Sequence, residues 1–265
     1  MPYASSGKVR IFYETRGQGM PLLMIMGWLA NRVWWPESLL ASLEPHVQMI
    51  LVDNRGAGNS SDTAGIYTMA DLAQDAMAVL DDLGLEKAHV LGVSMGGMVA
   101  QEIALRYSER VRHLILLSTS ASPISLRHIT RSQQQFWLKS LLRRDRSLKE
   151  RQLDLMFSRE EDESLSSDIE TFARRIASLP NPKVTHLKQY LAIMGFNSRS
   201  RLAQLACPTL VATGTNDMIL SHHHSHDLYR HIPNAQLYEV PDGSHAMLGA
   251  GDELARTFVE FMGLR

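Results

Sequence analysis

Gly92-Val93-Ser94-Met95-Gly96 sets a serine where an apolar run, AHVLGV, gives way to MVAQEIALRYS, whose apolar residues recur at helical spacing. The pattern G-x-S-x-G describes a nucleophile elbow, a tight turn that lifts a reactive hydroxyl above a strand end, with glycines where side chains would collide. A helix starting there turns its unpaired amides toward the same point and favours negative charge developing on a reacting group. A serine hydroxyl needs a base to make it nucleophilic and a third group to orient that base. His245, in PDGSHAM, is the candidate base among 11 histidines, because it lies late in the chain and just past an expected strand end. Asp217, in GTNDMIL, directly follows the apolar run PTLVATG and is the candidate orienting acid. Asp242 competes for that role but fits better in a Pro-Asp-Gly turn. Acyl transfer also needs donors for an oxyanion. The backbone N–H groups of Met95 and Trp28 are the candidates, the latter because Gly27 lets the chain approach closely. Each side chain also has a plainer reading: Ser94 as a helix cap, His245 as a loop histidine, Asp217 as a turn aspartate. Their order and their places at strand ends favour the joint one.

These residues need a frame that brings strand ends together. VRIFYET, PLLMIM, VQMILVD, AHVLGV and VRHLILLST read as strands. TMADLAQDAMAVLDDLGL between them reads as a helix, with Thr68 and Asp71 able to cap its start and Gly84 its end. CPTLVATGTND, HDLYRHIP, AQLYEV and DELARTFVEFMGL continue the alternation after residue 200. Strands separated by helices imply an α/β fold: a mostly parallel central sheet with helices on both faces.

Residues 122–200 break the pattern and hold no convincing strand. Four helices are expected there, around Ile124–Leu142, Leu148–Phe157, Ser167–Leu179 and Val184–Met194. The segment carries 14 basic and 9 acidic residues, against 13 and 19 in the rest of the chain. The expected organisation is therefore a core of residues 1–121 and 201–265 interrupted by an all-helical, basic cap over residues 122–200. Trp28, Phe136, Trp137, Met156, Phe157, Met194 and Met247 are candidates to line an apolar substrate pocket. Packing is the commoner use of such residues.

Asp53-Asn54-Arg55-Gly56-Ala57-Gly58 puts a charged pair in a glycine turn, expected to fix the loop beside the site. It is not a dinucleotide fingerprint. His222, His223, His224 and His226 invite a metal reading, but the sequence adds no carboxylate pair, and the chemistry above needs neither metal nor cofactor.

The chain has 265 residues, 45% hydrophobic and 21% charged, with a formal net charge of -1. That balance supports a sizeable core and calls for neither nucleic acid nor a membrane surface. MPYASSGKVRIFYE has no apolar signal-like run, and PLLMIMGWLA is too short to span a bilayer. Cys207 is the single cysteine, so no intrachain disulfide forms, which fits a reducing cytoplasm. A homo-oligomer is compatible with all of this.

PLLMIMGW, LVDNRGAGNSS, HVLGVSMGGMVAQEIAL, LVATGTND and PDGSHAM, in this order, resemble the α/β-hydrolase superfamily over nearly the whole chain. The resemblance is nearest to small esterases and lactonases of the 3-oxoadipate enol-lactonase kind. It implies a Ser94–His245–Asp217 triad, a helical lid and a small ester or lactone as substrate. Many relatives carry His-Gly before the oxyanion loop where this chain has Met26-Gly27, which implies altered packing there. Other chemistries of the same superfamily stay open: C–C bond hydrolysis, perhydrolysis, or a ligand receptor with little turnover.

Overall fold

A computed structural model of the chain describes residues 2–123, 133–134, 156 and 166–264. Its strands are β1 (Tyr3–Ser6), β2 (Val9–Arg16), β3 (Met20–Ile25), β4 (Val47–Val52), β5 (Ala88–Val93), β6 (Val111–Leu117), β7 (Thr209–Gly214) and β8 (Ala235–Val240). They form one sheet in the order β1-β2-β4-β3-β5-β6-β7-β8. β1 and β2 pair antiparallel, as do β2 and β4, and all later neighbours are parallel. The expected parallel sheet is thus present. The short polar strand YASS, which the apolar pattern does not reveal, extends its edge through a turn at Gly7 (φ 60°).

The helices are α1 (Glu37–Leu43), α2 (Met69–Asp82), α3 (Met95–Arg106), α4 (Ser166–Ser178), α5 (Lys183–Met194), α6 (His223–His231) and α7 (Gly251–Phe261). α2 begins with a reciprocal cap: the Thr68 hydroxyl accepts from the Asp71 N–H, and the Asp71 carboxylate accepts from the Thr68 N–H. Alternate residues of β3 feed opposite faces of the sheet. Leu23 and Ile25 join one cluster, with residues of α2 and α3, while Leu22 and Met24 join the other, with residues of α1 and α7. Central strands covered on both faces read as continuous apolar runs, which is why PLLMIM and AHVLGV do.

Register places the carboxyl ends of the central strands side by side. Ile25 pairs with Val52 and Gly92, Val93 with Leu117, Leu117 with Ala212, and Gly214 with Val240. The loops that leave these ends share one edge, the usual ligand edge of a parallel sheet. Between β6 and β7 the described chain is helical, with α4, α5 and a 3₁₀ turn at Arg199–Gln204. α4 and α5 match the third and fourth helices expected there; the first two fall outside the described residues apart from Gln133, Gln134 and Met156. No helix of the described residues is long and apolar enough to cross a membrane.

Candidate active site

Ser94 stands between β5 and α3 with φ 56° and ψ -120°. A side-chain-bearing residue at positive φ is strained, and the surroundings explain how the strain is held. Its N–H donates to the Leu117 carbonyl at 2.9 Å, and its carbonyl accepts from the Thr119 hydroxyl at 2.6 Å. A Cβ on Gly92 would lie 2.2 Å from the Gly96 carbonyl oxygen, and one on Gly96 would lie 2.1 Å from that of Ile25. Only glycine lets α3 start this close to β3 and β5. The first amides of α3 consequently face the end of the sheet, with the helix dipole behind them.

β3 ends in the loop carrying Gly27 and Trp28. A Cβ on Gly27 would come within 3.0 Å of the Ser94 Cβ. Neither the Trp28 N–H nor the Met95 N–H has a protein acceptor among the described residues. Trp28 lines the same cavity as Ser94 and is 40% exposed, its ring tilted against Tyr190 at 5.8 Å.

Asp217 and His245 come from the loops after β7 and β8. A Cβ on Gly214 would lie 2.1 Å from the Gly243 carbonyl oxygen, so these loops too approach as only glycine permits. Asp217 is buried, and one carboxylate oxygen accepts from the Ile219 and Leu220 amides, both at 2.8 Å. The other lies 2.7 Å from Nδ1 of buried His245. These contacts fix the carboxylate and hold the ring by one nitrogen, leaving Nε2 as its second proton site. Ser94 and His245 line one cavity but are not hydrogen-bonded to each other. Asp242 does not reach the ring. It is exposed, at φ 55°, and donates its N–H to the Thr215 hydroxyl as part of the turn.

The cavity has a volume of about 250 Å³. Trp34, Trp35, Leu39, Phe172 and Leu254 give it apolar walls, and Met156 and Met247 also line it. Such walls suit a small apolar group next to a polar reacting centre.

The profile of the alpha/beta hydrolase fold matches residues 20–251. The chain belongs to this family. Among similar proteins, this hydrolase is 32% identical over 247 residues to an Azorhizobium caulinodans protein that carries the name carbamate hydrolase RutD, covering 93% of this chain and 92% of the relative. It is 30% identical over 240 residues to a pimeloyl-[acyl-carrier protein] methyl ester esterase of Vibrio campbellii, covering 89% and 91%. The enol-lactonase from Burkholderia xenovorans LB400 superposes with a TM-score of 0.84 at 22% identity, over 99% of this chain and 100% of that one, a likeness of fold.

One expectation for the pocket needs correction in this hydrolase. Met194 does not line the cavity: it is 52% exposed at the end of α5. α5 turns its apolar residues Val184, Leu187, Leu191 and Met194 outward and buries Thr185, Lys188 and Gln189. Its inner face is polar because it hydrogen-bonds to loops. The two charges of the glycine turn reach different partners. Asp53 pairs with Arg32 at 2.5 Å, and Arg55 pairs with Asp75 at 2.5 Å. Each therefore ties the glycine turn to a different neighbour. Phe136, Trp137 and Phe157 lie outside the described residues. In the histidine run, the His222 and His226 rings lie 5.4 Å apart, and His226 Nε2 is 2.9 Å from a Glu239 oxygen. Among the described residues no group of three or more His, Cys, Asp or Glu is arranged to hold a metal ion.

Polar side chains crowd the loop after β3 that carries Gly27 and Trp28. Asn54 donates to the Met26 carbonyl at 3.0 Å, Gln189 accepts from the Leu29 N–H at 3.2 Å, and Asn181 donates to the Leu29 carbonyl at 2.7 Å. Asn54 belongs to the glycine turn singled out in the sequence, whereas Gln189 and Asn181 lie up to 160 residues from the loop and no local motif marks them.

Proposed function

We propose that this hydrolase cleaves carboxylic esters or lactones of small to medium, largely apolar compounds through an acyl-enzyme. His245 takes the proton of the Ser94 hydroxyl on Nε2 as Oγ attacks the carbonyl carbon. The N–H groups of Trp28 and Met95 stabilise the oxyanion. As the tetrahedral intermediate collapses, Nε2 gives the proton to the leaving alkoxide. A water then loses a proton to His245 and attacks the acyl carbon, which releases the acid and restores Ser94. Asp217 keeps the ring in the tautomer that leaves Nε2 free to accept. The observation that carries this reading is the 2.7 Å Asp217–His245 contact opening on the same apolar cavity as a strained serine.

The acyl side is expected to be modest in size, in keeping with a cavity of about 250 Å³. Cap and core would share its walls. Phe172 of α4 packs edge-on against Trp34 at 6.2 Å, and the Met156 carbonyl accepts from the Ala246 N–H at 3.0 Å. A carbamate ester is a second substrate class, favoured by the name of the 32% identical relative and served by the same groups.

The test is a panel of p-nitrophenyl esters of rising chain length, lactones, aryl carbamates and a vinylogous diketone. Esters, lactones or carbamates should be turned over well above the diketone, and Ser94→Ala should lose at least about 10³-fold in kcat. Full activity in Ser94→Ala would overturn the proposal.

A further inference from the structure

We propose that Gln189 and Asn181 are positioning residues for the oxyanion hole, so that the cap, through α5, sets the direction of the Trp28 N–H. This rests on the reading of Trp28 as an oxyanion donor. Within the loop itself one long bond closes the turn, from the Ala30 N–H to the Gly27 carbonyl at 3.3 Å. Leu29 has φ 67°, a left-handed conformation that leucine rarely adopts, so something must hold it there. Met26, before the glycine, offers no polar side-chain group.

The restraint comes from the far side of the cavity mouth. The peptide that follows Trp28 presents its N–H, that of Leu29, to Gln189 Oε1 at 3.2 Å. The next carbonyl, that of Leu29, accepts from Asn181 Nδ2 at 2.7 Å. The Trp28 indole N–H donates to the His186 carbonyl at 2.9 Å. The Trp28 Cα is thus held through its side chain and through its following peptide. The preceding peptide, which carries the N–H in question, is held inside the same turn: its carbonyl, that of Gly27, accepts from the Ala30 N–H at 3.3 Å, so its direction follows the conformation that Gln189 and Asn181 impose on Leu29. The Asn54 bond to the Met26 carbonyl limits it from the upstream side.

The anchors are themselves fixed. Asn181 Oδ1 accepts from the Gly58 N–H at 2.8 Å and from Asn31 Nδ2 at 3.0 Å. Thr185 donates to the Gly56 carbonyl at 2.7 Å, and Lys188 pairs with Asp62 at 2.7 Å. Gln189 is 0% exposed, so water does not compete for its bond to the loop. This chain of contacts explains why α5 buries a polar face: it ties the turn after β4 to the loop after β3. A donor meant to act in the transition state gains from being fixed beforehand.

Three variants separate positioning from mere support. Gln189→Met keeps the shape and loses the acceptor. Gln189→Glu keeps an oxygen for the Leu29 N–H. Asn181→Asp keeps both acceptor bonds to Gly58 and Asn31 and replaces the donor to Leu29 with an oxygen that repels the Leu29 carbonyl. Each is assayed for kcat and KM on the best p-nitrophenyl ester, for inhibition by a trifluoromethyl ketone that mimics the oxyanion, and for thermal midpoint, with Ser94→Ala in parallel. Gln189→Met and Asn181→Asp should lower kcat by about 10-fold or more, with KM within about twofold and inhibitor affinity falling in step; Gln189→Glu should recover most of the loss. Wild-type kcat and inhibitor affinity in Asn181→Asp or in folded Gln189→Met would overturn the proposal, and so would Gln189→Glu performing no better than Gln189→Met. If Gln189→Met fails to fold, Asn181→Asp decides. Activity retained in Ser94→Ala would instead count against the underlying reaction.

Discussion

At the scale of single residues, the site joins a strained serine to a firmly held imidazole. The strain at Ser94, φ 56°, is a cost the turn imposes on any side chain. Ser94→Gly should therefore unfold at higher denaturant than Ser94→Ala, by about 1 kcal/mol in chemical denaturation, even though glycine is usually the weaker choice. Equal midpoints would mean that the turn carries no strain. In the proposed reaction Asp217 acts through the ring it holds. Asp217→Asn keeps the shape but favours the wrong tautomer, so kcat should fall by on the order of 10⁴-fold with little change in fold, measured by steady-state kinetics and circular dichroism. A loss below about tenfold would detach Asp217 from the reaction. The placement of Ser94, Asp217 and His245 just past strand ends was legible in the sequence because each sits in a short local pattern. Gln189 and Asn181 were not, because a hydrogen bond spanning about 150 residues leaves no mark on its neighbours in sequence.

At the scale of elements, backbone approach and sheet burial set the limits. Gly96→Ala would drive a methyl to 2.1 Å from the Ile25 carbonyl oxygen, a backbone atom with no room to yield. It should cost about 3 kcal/mol or more in urea unfolding, whereas substitution of solvent-facing Gly84 should not act by crowding. β5 and β6 also carry a histidine pair, His89 buried and His113 half-buried. His89 Nδ1 lies 3.2 Å from His113 Nδ1, and the His89 Nε2 has no hydrogen-bond partner among the described residues. Burial, aided by the His113 and Arg112 charges, lowers the His89 pKa from 6.5 to about 4. The folded state therefore binds fewer protons than the unfolded chain between these values. The stability this ring permits is present above pH 6.5 and is lost as pH falls toward about 4. The thermal midpoint should drop across that window, and His89→Leu should flatten the drop; an unchanged slope in the variant would clear His89 of the effect. The helices of α2 and α3 could be read from spacing and caps. The role of α5 could not. Its apolar stripe follows the helical repeat, yet the stripe faces outward, because the polar side is needed by two loops.

At the scale of the whole molecule, the alternation of strands and helices and the order Ser…Asp…His were enough to indicate the sheet and its working edge. What the pocket holds was not legible. Its walls come from segments far apart, such as Trp34, Phe172 and Leu254, and periodicity does not say how they meet. The segment of α4 and α5 shares buried clusters with the rest of the chain: Phe172 packs with the residues of α1 and α7, and Ala192 and Phe196 with those of α2 and α3. Buried contacts of this kind predict coupled unfolding. Far-ultraviolet circular dichroism and tryptophan fluorescence should give coincident urea transitions, since Trp28, Trp34 and Trp35 all lie around the cavity. A separate early fluorescence transition would show the cap releasing alone. The central claim concerns one covalent bond. Rapid-quench mass spectrometry of the intact protein with a p-nitrophenyl ester, followed by peptide mapping, should find the acyl mass on Ser94 at early times, decaying as product forms. Turnover with no acylated protein at any time, or with the acyl group on another residue, would contradict it.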